Sequence, residues 1–147
     1  MIVHNLRKSR ENLDIKQKEI AELQNVNYST VSGWETGKDT IPLKRLIKYA
    51  NQYNFSLDYL FGITAYNDTS YLPLEIDLEI IANNLRKLRK NNNMTQEYVA
   101  KRMNTTQATY AHYENADNLI PTTFLYNLTK IYKTPFSIDK LLGRRKQ

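Results

Sequence analysis

The chain has 147 residues, a net charge of +6 and a pI of about 9.4, which permits a polyanionic partner without establishing one. Cysteine is absent, which excludes disulfides, a thiol nucleophile and a cysteine-based zinc site. The amino terminus lacks the apolar core of a signal peptide, and no apolar run approaches the roughly 18 residues that a membrane span needs. We therefore expect a cytoplasmic protein with no membrane partner, no metal and no cofactor.

The same sequence unit occurs twice in the chain. The run Asn5-Leu6-Arg7-Lys8 recurs as Asn84-Leu85-Arg86-Lys87, 79 residues later (84 − 5 = 79). A unit of this length is too long for a solenoid repeat and is about the size of a small domain. We expect a first domain over 1–62, a linker over 63–74 and a second domain over 75–147.

Each unit has the pattern of five short helices. Apolar residues recur at helical spacing, strand-like alternation is scarce, and Gly and Pro number only 4 each. Asp14 and Thr95 are candidate N-caps of the second helix of their units. Gly62 and Gly143 stand where the end of a helix favours a left-handed residue. The predicted fold class is all-α, with two tandem five-helix domains.

The junction between the units allows several interpretations. Residues 63–73 break the helical periodicity, which predicts a linker. The pattern from Leu74 to Asn91 is a longer helix, and its part before Asn84 has no counterpart in the first unit. That part can be a helical linker packed on the first domain, a patch that joins two chains in a homodimer, or an extended helix that covers its own domain.

A helix-turn-helix pattern follows the first helix. Gln17, Ile20 and Ala21 lie on one predicted helix, and a short turn separates them from a second that carries Val31 and Trp34 on one side. A small residue such as Ala21 lets two helix backbones approach closely where they cross. The opposite face of the second helix is polar and is free to enter a major groove of DNA.

These residues resemble the lambda-repressor-like, or XRE, family of phage and bacterial regulators. Unit one has the spaced set that ends with Glu35, Gly37, Pro42 and the run from Leu57 to Gly62. Unit two has the same spacing in Thr95, Gln96, Val99, Ala100, Tyr110, Tyr113, Glu114, Pro121 and Leu141 to Gly143. The resemblance covers both units and implies that double-stranded DNA is the partner.

The resemblance also implies which residues meet DNA. The glutamine that opens the second helix contacts phosphate and supports the recognition helix, and lysines after that helix contact phosphates. Gln107 can form a bidentate pair with adenine. Tyr28 is either a DNA contact or simply exposed, and the same two interpretations apply to His112. The DNA-binding residues predicted in this way are Gln17, Asn27, Tyr28, Ser29, Ser32, Lys38 and Lys44 in unit one, and Gln96, Thr106, Gln107, Ala108 and His112 in unit two.

Three positions depart from the family pattern. Gly33 replaces a longer side chain and can make no side-chain contact with a base. Ala116 occupies the place of the glycine that usually ends the recognition helix, so its loop is expected to be strained or rearranged. Asp117 stands where unit one has Lys38, and its charge would repel phosphate. Unit one therefore has the better phosphate clamp, while unit two has the better reading helix.

Other singled-out residues have structural interpretations. Arg10 with Glu35, and Arg89 with Glu114, recur at one separation (35 − 10 = 25), and the resemblance implies a partly buried ion pair in each unit. Trp34 and the corresponding Tyr113 are expected in the cores. The carboxyl-terminal Arg144-Arg145-Lys146 is expected to be a frayed basic end.

The sequence favours a transcriptional regulator over an enzyme. It has no glycine-rich phosphate loop, no supported Ser-His-Asp set and no carboxylate pair in a plausible cleft. We expect sequence-specific binding to double-stranded DNA by two units on adjacent half-sites. The competing interpretation is a protein-interaction module, such as an antitoxin or adaptor, in which one unit no longer binds DNA.

Overall fold

A computed structural model describes residues 1–147 and contains ten helices and no β-sheet. The chain divides into two compact units, Met1–Pro73 and Leu74–Gln147. The helices of unit one are α1 Leu6–Asn12, α2 Gln17–Gln24, α3 Tyr28–Thr36, α4 Leu43–Tyr53 and α5 Leu57–Leu60. Those of unit two are α6 Leu78–Asn91, α7 Gln96–Arg102, α8 Gln107–Glu114, α9 Thr122–Ile131 and α10 Ile138–Leu141. The expected all-α fold with five helices per unit is confirmed.

Each unit has its own apolar core, built from positions that correspond under the repeat. In unit one, all five helices contribute side chains that are almost completely buried: Leu6, Ile20, Val31, Trp34, Leu46 and Leu60. The corresponding set in unit two is equally buried: Leu85, Val99, Tyr110, Tyr113, Leu125 and Leu141. Short helices like these gain most of their stability from such packing, because isolated helices of this length are marginal in water.

The helix ends are defined by left-handed residues and by hydroxyl caps. Gly62 and Gly143 have φ of +78° and +85°, as their positions after the last helices predict. Thr95 caps α7 by accepting a hydrogen bond from the backbone N–H of Tyr98 at 3.0 Å. The expectation for Asp14 was wrong, because Lys16 is the N-cap residue of α2 and Asp14 adopts a left-handed conformation with φ 58° in the preceding turn.

The segment predicted as a linker is hydrogen-bonded to unit one along part of its length. The side-chain amide of Asn67 donates to the Asn54 carbonyl at 3.1 Å and accepts from the Ser56 backbone N–H at 2.7 Å. The Asn54 amide in turn donates to the Thr69 carbonyl at 3.3 Å. Residues 67–69 are therefore tied to the turn between α4 and α5, which shortens the free part of this segment.

The two ends of unit two differ from the sequence expectations. The first helix starts at Leu78 rather than at Leu74, because Asp77 caps it by accepting hydrogen bonds from the N–H groups of Glu79 and Ile80. Arg144 is not frayed: it is buried, and its Nη1 lies 2.9 Å from Oδ1 of the buried Asp139. An arginine that pairs with a buried carboxylate orders the carboxyl-terminal segment as far as this residue.

Candidate nucleic-acid interface

The helix-turn-helix pair of unit one is formed by α2 and α3. Ala21 is buried between the helices, and Asn25 ends α2 in the left-handed conformation with φ 53°. The N–H of Val26 then bonds to the Ala21 carbonyl at 3.0 Å, which closes the turn. Unit two repeats this geometry, with Asn104 at φ 58° and the Thr105 N–H on the Ala100 carbonyl at 3.0 Å.

The exposed face of α3 carries the residues predicted to read bases in unit one. Val31 and Trp34 point into the core, so the opposite side of the helix and its N-cap residue face solvent. Asn27 and Ser29 are exposed there, and Tyr28 is 62% exposed. Ser32 is half-buried. This helix therefore presents a small polar surface with one projecting aromatic ring.

An acidic side chain covers the glycine of α3. A carbon attached at the Gly33 Cα would lie 2.8 Å from Oδ2 of Asp39, and the Asp39 N–H bonds to the Gly33 carbonyl at 3.1 Å. The loop after α3 thus folds back over the position that lacks a side chain. Sequence reasoning noted Gly33 but not Asp39, since only the path of the loop brings the two residues together.

The predicted reading helix of unit two, α8, exposes a different set of side chains. Gln107 and Ala108 are exposed at its first turn. Thr106 is the N-cap residue, and its hydroxyl accepts from the Thr109 N–H at 3.2 Å. His112 is also exposed, but its Nδ1 lies 2.9 Å from Oδ2 of Asp117. The acid that was expected to repel phosphate is therefore paired with a predicted base reader.

A buried glutamate holds each helix-turn-helix pair against the first helix of its unit. Arg10 Nε lies 2.7 Å from Glu35 Oε2, and Arg10 Nη2 lies 3.0 Å from Oε1. Arg10 Nη1 donates to the carbonyl of Ile15 at 2.8 Å, so the same guanidinium also fixes the turn before α2. The side chain of Glu35 is 2% exposed and that of Arg10 is 12% exposed, which confirms the expected partly buried pair.

Unit two contains the same arrangement with nearly the same distances. Arg89 Nε lies 2.8 Å from Glu114 Oε2, and Arg89 Nη1 donates to the Met94 carbonyl at 2.9 Å. Burial acts to raise the pKa of Glu114, but hydrogen bonds from Arg89 and Gln96 are among those that outweigh it and lower this pKa below its ordinary value. The hydrogen bond to Glu114 raises the pKa of Arg89. Both groups are therefore held in their charged forms.

The glutamines that open α2 and α7 are the third member of each set. Gln17 Nε2 donates to Glu35 Oε1 at 2.8 Å, and Gln96 Nε2 donates to Glu114 Oε1 at 3.1 Å. This arrangement agrees with the supporting role expected for them. An amide nitrogen carries two hydrogens, so one N–H of each glutamine remains for another acceptor. Their contact with DNA phosphate stays a prediction.

The lysines expected to contact phosphates lie on the surface of unit one. Lys38 is exposed in the loop after α3, and Lys44 is exposed in the first turn of α4. Neither forms a salt bridge. Their counterparts in unit two, 79 positions later, are Asp117 and Thr123, so the two units present different charges at this place.

The comparisons with known proteins identify the family. A helix-turn-helix family model, HTH_3, matches residues 6–60 and again residues 85–138, which together make up more than half of the chain. The chain therefore belongs to the XRE-like helix-turn-helix family of DNA-binding regulators, in two tandem copies. No curated protein and no solved structure gives a significant match. None of the ten helices combines the length and apolar character of a membrane span, and His, Cys, Asp and Glu nowhere form a group of three or more that could hold a metal ion.

Proposed function

We propose that the protein is a cytoplasmic transcriptional regulator that binds specific sequences of double-stranded DNA through both units, on adjacent half-sites. The observation that carries the proposal is the repeated Arg–Glu–Gln set, which fixes the second and third helices of each unit to its first helix. A rigid helix pair with an exposed polar face is what base reading in a major groove requires. We propose that the exposed residues of α3 and α8, and the N-cap residue of each helix, contact DNA directly.

The two half-sites should differ in sequence. The positions of α3 and its N-cap predicted to face DNA are Asn27, Tyr28, Ser29, Ser32 and Gly33, the last of them covered by Asp39. They correspond to Thr106, Gln107, Ala108, Ala111 and His112 in unit two. No residue is shared between the sets. Because hydrogen bonds and apolar contacts to base edges specify the sequence, two different sets read different base pairs. A single chain would then recognise a site without two-fold symmetry, and a homodimer would not be required.

Because the two units are covalently linked, the whole chain can bind DNA tightly even if each unit alone binds its half-site with modest affinity. When one unit is bound, the tether keeps the second at a high effective concentration near its own half-site. Half-sites read by helix-turn-helix pairs lie about 34 Å apart, one turn of the double helix. The hydrogen bonds of Asn67 shorten the free tether, so the spacing between the half-sites is expected to be tightly restricted.

The test is selection of duplexes from a random DNA pool with the purified full chain, followed by binding of the selected site to variants. We expect two adjacent sequence blocks that are not inverted copies. Gln107→Ala should abolish the preference at one base position and cost about 1–3 kcal/mol on the preferred site. Gln52→Ala, at an exposed glutamine of α4, is the matched control and should change neither property.

Failure to select any duplex would overturn the proposal and favour the protein-interaction module instead. The covered Gly33 is the observation that favours that second function, because α3 offers no side chain at this position and a carboxylate lies above it. If only one block were selected, one unit alone would be a DNA reader. An equal effect of Gln107→Ala and Gln52→Ala would exclude Gln107 as a base contact.

A further inference from the structure

Four positions beside the two reading helices differ in charge between the units. Four positions of unit one that flank α3 in the fold are lysines: Lys16, Lys18, Lys38 and Lys44. The corresponding residues of unit two, 79 positions later, are Thr95, Glu97, Asp117 and Thr123. Four lysines give +4, whereas one glutamate, one aspartate and two threonines give −2. At these four positions the units therefore differ by six charges (4 − (−2) = 6).

The fold brings the lysines to the edges of the reading helix. Lys16 and Lys18 stand on either side of Gln17, whose amide lies 2.8 Å from Glu35 in α3. Lys38 follows α3 directly after Gly37, and Lys44 is in the first turn of the next helix. All four are exposed, and none forms a salt bridge. Unpaired cations beside a reading helix are placed to meet the phosphates on either side of a groove.

Over its whole length, unit two is more basic than unit one, although it lacks the lysines that flank α3. Unit two carries 12 basic and 7 acidic residues, against 9 and 8 in unit one. Four of its exposed cations lie on α6, after α9 and on α10: Lys87, Lys90, Lys133 and Lys140. Lys101 and Arg102 end α7, before the turn to α8. At physiological salt the screening length is about 8 Å, so charges in the immediate surroundings of the groove dominate.

The acids of unit two lie where they oppose a phosphate. Glu97 is exposed directly after Gln96, and Asp117 is exposed beside His112. Unit one also has acids in this region: Asp39 lies over Gly33, and Glu19 and Glu22 are exposed on α2. The position of the charges, and not their sum, therefore favours backbone contact by unit one: its four lysines flank α3, whereas the four corresponding places in unit two hold two acids and no cation.

We infer that the phosphate backbone of the duplex is held mainly by unit one, through Lys16, Lys18, Lys38 and Lys44, while unit two adds base contacts with little attraction to the backbone. The inference rests on the proposed binding of duplex DNA and specifies how the phosphate and base contacts are divided between the two units. Unit one supplies most of the affinity and its dependence on salt. Unit two, through Gln107, discriminates between base sequences once unit one holds it near the DNA.

The test compares two variants of the full chain that have the same net charge. One replaces Lys16, Lys18, Lys38 and Lys44 by Gln, and the matched control replaces the exposed Lys87, Lys90, Lys133 and Lys140 of unit two by Gln. Binding to one duplex is measured by fluorescence anisotropy over a salt series. Each phosphate contact contributes about 0.9 to the slope of log affinity against log salt, so the first variant should lose up to about 3.6. The slope of the control variant should decrease by less than the value of about 0.9 that one phosphate contact contributes.

The outcomes separate this inference from the proposed function. If the unmodified chain binds no duplex at low salt, the proposed function itself fails. If the chain binds but both quadruple variants lose the same slope, the division of phosphate contacts is wrong. The reciprocal variant Glu97→Lys should raise affinity and steepen the slope, and an unchanged slope would also contradict the inference. Circular dichroism of each variant verifies that the helices remain folded.

Discussion

Single residues explain why each helix-turn-helix pair is fixed to its own first helix. A buried carboxylate that accepts an arginine fork and a glutamine amide has both oxygens occupied, as Glu35 and Glu114 do. Breaking such a set leaves a charge or a donor buried without a partner, which is costly. The resemblance implied the ion pairs, but it did not reveal that the glutamine predicted to contact phosphate is bonded to the same carboxylate.

The lowered pKa of Glu114 makes the stability of unit two depend on pH. A carboxyl whose pKa is lower in the folded state stabilises the fold above its unfolded value, which is ordinarily 4.5, and loses this contribution as pH falls through the folded value. Unfolding followed by circular dichroism between pH 7 and pH 3 should show that the free energy of unfolding of unit two decreases progressively as the pH falls. Glu114→Gln, which cannot titrate, should flatten the part due to this group, and an unchanged pH profile would contradict the assignment.

At the scale of elements, the end of the reading helix distinguishes the two units. In unit one, α3 is followed by Gly37 with φ 83°, while the corresponding residue after α8 in unit two is Ala116 with φ 62°. A Cβ in the left-handed region costs about 1–2 kcal/mol, so unit two carries the strain expected from its sequence. The strained residue precedes Asp117, which the turn brings to His112.

Ala116→Gly should therefore stabilise unit two by about 1 kcal/mol, with part of the relief offset by the greater freedom of glycine in the unfolded chain. Gly37→Ala is the reciprocal control and should destabilise unit one by a similar amount. Denaturant unfolding of both variants measures the two changes. Equal stability of the Ala116→Gly variant and the unmodified chain would mean that the loop is not strained.

At the scale of the whole molecule, two compact units with separate cores predict two unfolding events. Glu35→Ala removes one partner of a buried pair and should destabilise unit one by on the order of 3 kcal/mol. The transition of unit two should not move, because its own core and its Arg89–Glu114 pair are intact. Calorimetry of this variant and of Glu114→Ala, the corresponding change in unit two, tests this prediction. A single transition that shifts equally in both variants would mean that the units unfold as one.

The sequence by itself determined the repeat, the ten helices, most core positions and the two Arg–Glu pairs. The repeat, the helices and the core positions follow from helical periodicity and from a spacing that recurs at one offset, whereas the Arg–Glu pairs were implied by the family resemblance. Tertiary structure decided which polar groups meet across loops. It placed Asp39 over Gly33, Asp117 on His112, Arg144 on Asp139 and Asn67 on the turn after α4. Those contacts depend on the path of irregular backbone, which carries no periodicity for a sequence to display.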